Sequence, residues 1–201
     1  YKAGIYTFNY GSSSSSALTT IQSLTSSLST ASSAAQNIDV LKVCSNNYLT
    51  CSNNNNDTDT NFEAAATQIN NIMPNPGTGA ASSTPQEVLF IVSDGVDDEV
   101  NSSSCSQALD GSRCQQPFNT AMCTTIKNRG IMIAVLYTEY LPLPTNSWYN
   151  SWVAPYQSSL GTNLQNCASP GLFFQITTDG DITAAMQTLF QLAVATARLS
   201  Q

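Results

Sequence analysis

The stretch VLFIVSDGVDDEV, residues 88–100, decides the fold. Its first five residues form an uninterrupted apolar run, which is typical of a strand that is covered on both faces. The run stops abruptly at Ser93, Asp94 and Gly95, and further acidic residues follow. A buried strand that leads directly into carboxylates either meets water at that end or meets a positively charged group.

Two other apolar runs have the same character, IMIAVLY at 131–137 and LFFQIT at 172–177. Apolar residues also recur with helical spacing, which predicts helices over 62–73, 118–126 and 182–197. Strands that alternate with helices predict a three-layer α/β fold, a mostly parallel sheet with helices on both faces. We interpret residues 1–201 as a single domain of this class.

The remaining segments give weaker signals. IYTFNY (5–10) reads as a strand, and apolar spacing predicts a helix over 18–35. Residues 141–156 contain three prolines and both tryptophans, which indicates a structured loop. Asp181 is expected to cap the last helix.

Composition excludes several classes of function. The net charge is -7, so a nucleic-acid surface is not expected. The chain has no histidine, which excludes Ser-His-Asp and Cys-His catalysis. It has no apolar run of about eighteen residues, so no membrane span is expected. Because it begins on strand-like sequence at Tyr1, we expect further residues in front of it.

The six cysteines indicate disulfides and hence an oxidising compartment, since the chain has neither histidine nor a C-x-x-C pair. Many connectivities are possible. Two close pairs, Cys44 with Cys51 and Cys105 with Cys114, lie in polar segments and favour short bridges. The remaining two cysteines, Cys123 and Cys167, would then form the third bridge.

Asp94 and Thr60 are the candidate site residues. Ligands of α/β sheets bind beyond the carboxyl ends of the strands, and Asp94 follows such an end. Thr60 precedes a predicted helix with Glu63 three residues later, a pattern typical of a capping box. The same threonine can also present its hydroxyl to Mg²⁺, which prefers hard oxygen ligands.

Other interpretations of the acidic residues are weaker. The DTDTN stretch, 57–61, has the D-x-D-x-N spacing of an EF-hand calcium loop, but Phe62 and Gln68 stand where glycine and glutamate are required. Asp94 as a nucleophile would need a partner acid, and the sequence indicates none. Asp97 and its two acidic neighbours are predicted to form a solvated loop, or else to tune a metal or hold a second cation.

The motifs VLFIVSDGVDDE and TNFEAAA resemble two of the three metal-site loops of von Willebrand factor A domains. The resemblance implies that Thr60 and Asp94 are ligands of Mg²⁺, or of Ca²⁺ or Mn²⁺, with Ser93 as a neighbour. If the alignment with the family is shifted by two residues, Thr58 takes the place of Thr60 as the predicted metal ligand.

Five further segments, in order, are similar to the TadG-like proteins of tight-adherence (Flp) pilus systems: YTFN, LTSSLST, CTTIKNRGIMIAVLYTEY, LQNCASPGLFF and a final ARLSQ. This likeness extends from Tyr1 to Gln201. It implies an exported domain at the bacterial cell surface, outside the cell or in the periplasm.

The chain departs from the family in one respect. The D-x-S-x-S motif that ends the family's central first strand does not occur here, and IYTFNY matches the second strand instead. A sheet without its middle strand would bury unpaired backbone groups. We therefore expect the missing strand to come from upstream residues or from another polypeptide.

The sequence predicts a non-enzymatic, metal-dependent binding domain that acts in pilus assembly or attachment. Its partner would be a pilus or envelope component, or a host or surface ligand, that offers a carboxylate to the metal. Trp148 and Trp152 either pack their loop onto the core or form a partner contact. The alternatives are a purely structural envelope or filament component with a vestigial metal site and, less favoured, a carboxylate-based hydrolase. Asn56 and Asn101 begin glycosylation sequons.

Overall fold

The computed structural model of the chain describes residues 1–8, 17–38, 60–81, 83–100, 105–111, 113–177 and 179–199. Predictions made for Cys44, Cys51, Thr58 and the two sequon asparagines lie outside these residues. The elements in chain order are β1 (Ala3–Thr7), β2 (Thr19–Thr25), α1 (Leu28–Ala35), α2 (Phe62–Ile72), β3 (Val88–Ser93), β4 (Val96–Val100), β5 (Arg113–Pro117), α3 (Ala121–Asn128), β6 (Met132–Thr138), α4 (Ser147–Trp152), α5 (Leu160–Cys167), β7 (Phe173–Ile176) and α6 (Ile182–Leu199).

The protein is a mixed α/β structure with a three-stranded parallel sheet in the order β3-β6-β7. The predicted apolar runs form these three strands, and helices cover both faces of the sheet. One side of β6 packs against α2, α3 and α5, and the other side packs against α6. Because β6 lies between two strands and two helical layers, its residues from Ile133 to Leu136 are fully buried.

Helix α6 begins where the sequence predicts, since Asp181 Oδ1 accepts a hydrogen bond from the Ala184 amide at 3.0 Å. Helix α3 is followed by Gly130, which has a φ of 87°. Glycine is favoured at that position because the left-handed conformation strains other residues.

The prediction of one helix over 18–35 is wrong. Residues 19–25 form β2, which pairs antiparallel with β1, and only Leu28–Ala35 is helical. The segment TTIQSLT is rich in β-branched residues, which fit a pleated strand better than a helix. The helix starts at Ser27, whose side chain accepts a hydrogen bond from the Thr30 amide.

The solvated loop predicted around Asp97 is also wrong. Residues 96–100 form β4, which pairs antiparallel with β5 in a separate two-stranded sheet. The loop predicted at 141–156 contains the short helix α4, and α5 was not predicted. Tertiary packing determines whether these short elements form, since each is too short to be a stable helix or hairpin alone.

Among the described strands, β3 pairs only with β6, and β1 pairs only with β2. The residues that flank β1 contact helices on the two faces of the parallel sheet: Tyr1 contacts Phe190 of α6, and Phe8 contacts Phe62 of α2. The outer edge of β3 has no strand partner among the described residues, and the missing strand stays a prediction.

Two disulfides are present in the described part of the chain. Cys105 bonds to Cys114 and ties the segment before β5 to that strand, and Cys123 bonds to Cys167 and links α3 to α5. These are two of the three pairings that the spacing favours, and they are typical of an oxidising, extracytoplasmic environment. None of the helices found in the described residues combines the length and the apolar character that crossing a membrane requires.

Candidate functional site

The candidate site lies where β3 ends at the carboxyl edge of the parallel sheet. Asp94 Oδ1 accepts a hydrogen bond from the Val96 amide at 3.1 Å, and Ser93 Oγ accepts one from the Gly95 amide at 3.1 Å. Gly95 adopts a φ of 84°, and a side chain there would press against Leu164 and Leu160 of α5. These bonds form a tight turn that holds the Asp94 carboxyl group at the rim.

The Asp94 carboxyl group is only partly exposed to water. Burial raises its pKa, and hydrogen bonds from the Val96 amide and from its own amide partly oppose that shift. The Asp94 carboxylate also raises the pKa of Tyr137 and Tyr140, although burial is the larger cause for both tyrosines. A carboxylate that is partly desolvated gains more from a bound cation than a solvated one does.

Thr60 reaches the same region through its backbone. Its amide donates to the Asp98 carbonyl oxygen at 2.8 Å, and the Asp98 amide donates back to the Thr60 carbonyl oxygen at 3.2 Å. This bridge joins the start of α2 to β4 at Asp98, four residues after Asp94. That the Thr60 hydroxyl and Asp94 share a metal stays a prediction.

The predicted capping box of Thr60 and Glu63 is wrong. The N-cap of α2 is Asn61, whose Oδ1 accepts from the Ala64 amide at 2.8 Å and whose Nδ2 donates to Glu99 Oε2 at 2.7 Å. Thr60 is instead held in the backbone bridge, which moves the helix start by one residue. Asparagine is at least as good an N-cap as threonine, so the N-cap role of Asn61 could have been predicted from the sequence.

Asp97 supports α2 from inside the protein. The residue is only 2% exposed; its Oδ1 accepts from the Phe62 amide at 2.8 Å and its Oδ2 accepts from Gln116 Nε2 at 3.2 Å. Burial raises the pKa of Asp97 to about 7, against these two hydrogen bonds and with a smaller contribution from Glu99 and Asp98. Since protein donors engage both oxygens, Asp97 is suited to holding the helix rather than to facing solvent.

Asp98 is neutralised within the β4–β5 hairpin. Its Oδ2 accepts from Arg113 at 2.5 Å, and its Oδ1 accepts from Gln115 Nε2 at 3.1 Å. The Arg113 guanidinium lies 5.5 Å from the Trp148 ring centroid, and Trp148 Nε1 donates to Asp110 at 2.8 Å. The structure thus gives Trp148 an internal packing role, while Trp152 on the same helix is half-buried.

Two buried side-chain atoms in the described part of the chain lack a hydrogen-bond partner, Gln115 Oε1 and the Tyr156 hydroxyl. Gln115 is 1% exposed and Tyr156 is 4% exposed. Burial raises the pKa of Tyr156, and the carboxylates of Asp98 and Asp94 raise it further. Sequence reasoning missed both residues because a glutamine in a polar segment and a tyrosine in an aromatic loop carry no distinguishing pattern.

The oxygen atoms near the rim fit a hard cation by their chemistry. In the described residues no group of three or more acidic, cysteine or histidine side chains is arranged to hold a metal. A cation at Asp94 would therefore need neutral oxygens to complete its coordination, and the Thr60 hydroxyl is the one that the sequence predicts. Mg²⁺ and Ca²⁺ accept such mixed oxygen sets, which water molecules complete.

The fold and the site define a mixed α/β protein with a cluster of acidic residues at the carboxyl edge of its parallel sheet. Comparison of the chain with protein-family models, with curated proteins and with solved structures finds no match.

Proposed function

We propose that this chain is a non-enzymatic binding domain of an exported bacterial protein, related to von Willebrand factor A domains, whose ligand binds through a divalent cation at Asp94. One observation carries the proposal. A partly buried carboxyl group stands at the carboxyl end of a parallel strand, in a turn that fixes its direction.

A divalent cation, Mg²⁺, Ca²⁺ or Mn²⁺, would supply positive charge and an open coordination position for a carboxylate of the partner. Asp94 contributes the negative charge that holds the cation, and the Thr60 hydroxyl supplies a neutral oxygen. The net charge of -7 disfavours the approach of an acidic partner, so the positive charge is needed locally. In this proposal the partner is a pilus or envelope component, or a ligand on a host or other surface.

The proposal includes one further strand beside β3, supplied from outside the described residues. Strand β3 is entirely apolar up to Val92, yet Val92 is 42% exposed, whereas the centre of β6 is fully buried. The outer edge of β3, which pairs with no other described strand, supports the addition of a strand there.

The first test replaces Asp94 by asparagine, which keeps the Oδ1 acceptor for the Val96 amide and removes only the charge. Titration of the purified chain with MgCl2, CaCl2 or MnCl2 in a calorimeter should give at least about a tenfold weaker affinity for Asp94→Asn than for the wild type. Glu87→Gln is the matched control, since Glu87 directly precedes β3 and therefore lies at the amino end of the strand, away from Asp94. Equal affinities in all three proteins, or no binding by the wild type, would refute the metal site.

A second function, a purely structural envelope component, is favoured by the intramolecular bonds of the rim acids. Asp97, Asp98 and Glu99 are all engaged by protein donors. If a chelator leaves partner binding and stability unchanged while reduction of the disulfides unfolds the chain, the structural function is the better account.

A further inference from the structure

Strand β7 forms the edge of the parallel sheet opposite to β3. Among the described strands it pairs with β6 alone. The Glu139 amide donates to the Ile176 carbonyl oxygen at 2.9 Å, which fixes the register of this pairing. Backbone groups alternate in direction along a strand, so the amide and carbonyl groups of Phe173 and Gln175 point away from β6. These groups can pair with a further strand.

A cleft of about 470 Å³ lies on each face of this edge. The α5-side cleft is lined by residues of α5 and by Tyr137 and Phe173 of the sheet. The α6-side cleft is lined by residues of α6, such as Ala184, and by Ile176 of β7. Gln175 lines both clefts, so they adjoin each other at the edge strand. Because successive side chains of a strand point to opposite faces, a strand added to β7 would direct alternate side chains into the two clefts.

The α5-side cleft combines aromatic rings with an unpaired carboxylate. A Cβ atom at Gly161 of α5 would come within 3.0 Å of the Tyr137 ring, so a larger residue there would displace the ring. Tyr137 also stacks on Phe173, with 6.4 Å between the ring centroids. Glu139 lines the same cleft, and no described residue donates a hydrogen bond or an ion pair to its carboxylate.

The charges at this edge favour a basic partner. The charged residues that line the two clefts are Glu139 and Asp181, and both are acidic. The Asp181 carboxylate already accepts from the Ala184 amide, so Glu139 is the one without a described donor. A lysine or arginine side chain can lay its apolar stem on the aromatic rings and pair its charged end with Glu139. A second copy of this chain would bring the same acids and a net charge of -7, which opposes pairing of two copies through β7.

We propose that the outer edge of β7 binds an extended segment of another protein, with lysine or arginine side chains in the α5-side cleft and small apolar side chains in the α6-side cleft. The segment adds to the sheet as a further strand, so its backbone supplies affinity and the two clefts select its side chains. This site does not depend on a cation at Asp94.

The test uses the full chain in EDTA and an acetylated, amidated peptide of sequence Thr-Lys-Val-Lys-Val-Thr. In an extended peptide the lysines share one face and the valines share the other. Amide hydrogen exchange is measured by NMR with and without the peptide. Binding should slow the Phe173 and Gln175 amides at least about tenfold and leave the Phe174 and Ile176 amides nearly unchanged, since the latter two already face β6.

The charge contribution is tested by Glu139→Gln, which keeps the size of the side chain. In calorimetry this variant should bind the peptide about three- to tenfold more weakly than the wild type. Glu87→Gln makes the same change next to β3, at the other edge of the sheet, and should keep the wild-type affinity. A peptide with glutamate in place of both lysines should not bind.

The backbone contribution is tested by Gln175→Pro. Proline removes an amide hydrogen that points away from β6, so the variant should keep its pairing with β6 and bind the peptide at least about tenfold more weakly. A peptide that is N-methylated at its four central residues should show a similar loss with the wild-type protein. This second measurement decides the question even if the proline variant does not fold.

Three results would overturn the proposal. The Phe173 and Gln175 amides could already be protected in the isolated chain, which would mean that the edge is occupied. The wild type could sediment as a dimer that Gln175→Pro prevents, which would mean that a second copy pairs there. The peptide could give no protection, or could bind equally to the wild type and Glu139→Gln. None of these results changes the outcome of the metal titration of Asp94→Asn, so the two proposals stand or fall separately.

Discussion

At the scale of single residues, Asp97 combines burial with two structural hydrogen bonds. Its carboxyl group fixes the first turn of α2 through the Phe62 amide and fixes β5 through Gln116. Desolvation raises the pKa of Asp97 by more than the two hydrogen bonds lower it. The pKa therefore rises to about 7 from an ordinary value of 3.8. The folded protein therefore retains a proton that the unfolded chain releases at lower pH.

This shift predicts a loss of stability as the pH rises. Below pH 3.8 both states are protonated at Asp97 and the group contributes no difference. Between pH 3.8 and about 7 the unfolded chain ionises first, so the folded state is progressively disfavoured, by on the order of 4 kcal/mol once the pH exceeds 7. Urea unfolding in EDTA across this range should show the decline.

Asp97→Asn is the control for the pH prediction. The amide oxygen still accepts from the Phe62 amide, but the amide nitrogen faces the Gln116 donor, so the variant loses one hydrogen bond at every pH. Its unfolding free energy should start lower at pH 4 and change less up to pH 7. A variant whose pH dependence matches that of the wild type would show that Asp97 does not titrate in this range.

At the scale of elements, the long apolar segments were predictable and the short polar ones were not. The strands β3, β6 and β7 and the helices α2, α3 and α6 carry enough periodic apolar residues to mark them. The β4–β5 hairpin has no such pattern, since VDDEV places three acids in its middle. It forms because Thr60, Arg113 and Gln115, which are distant in sequence, all hydrogen-bond to Asp98 of β4. Local sequence propensity does not predict such long-range contacts.

The start of α2 provides an element-scale prediction. Asn61→Ala removes the bond to the Ala64 amide and the bond to Glu99, so the unfolding free energy should fall by about 1–2 kcal/mol. Glu63 is exposed in the first turn and takes no part in this cap, so Glu63→Gln should change stability by less than about 0.5 kcal/mol. Chemical denaturation measures both. A larger loss of unfolding free energy for Glu63→Gln than for Asn61→Ala would mean that Glu63 does take part in the cap, as the capping-box prediction requires.

At the scale of the whole molecule, the three-layer arrangement followed from the alternation of strands and helices, and Asp94 followed from its place after β3. The two buried oxygens without a partner in the described residues, on Gln115 and Tyr156, did not follow from the sequence. Their burial depends on the β4–β5 hairpin and on the packing of the segment after α4. Sequence pattern predicts which edge of a sheet carries a site, whereas tertiary contacts determine which side chains complete it.

The unpaired edge of β3 gives the last prediction, which amide hydrogen exchange can test. The Met132 amide donates to the Glu87 carbonyl oxygen, and in a parallel ladder this register directs the Leu89 and Ile91 amides toward β6. The amides of Phe90 and Val92 then point toward the unpaired edge. In the isolated chain they should exchange at least about tenfold faster than those of Leu89 and Ile91, because nothing in the described structure bonds to them.

The comparison within one strand controls for solvent, temperature and global stability. Addition of the proposed strand should slow the Phe90 and Val92 amides and leave the other two nearly unchanged, since only the outer edge of β3 gains hydrogen bonds. Uniform protection of all four amides in the isolated chain would mean that this edge is already paired. The proposed addition of a strand beside β3 would then be wrong, whatever the metal titrations show for Asp94.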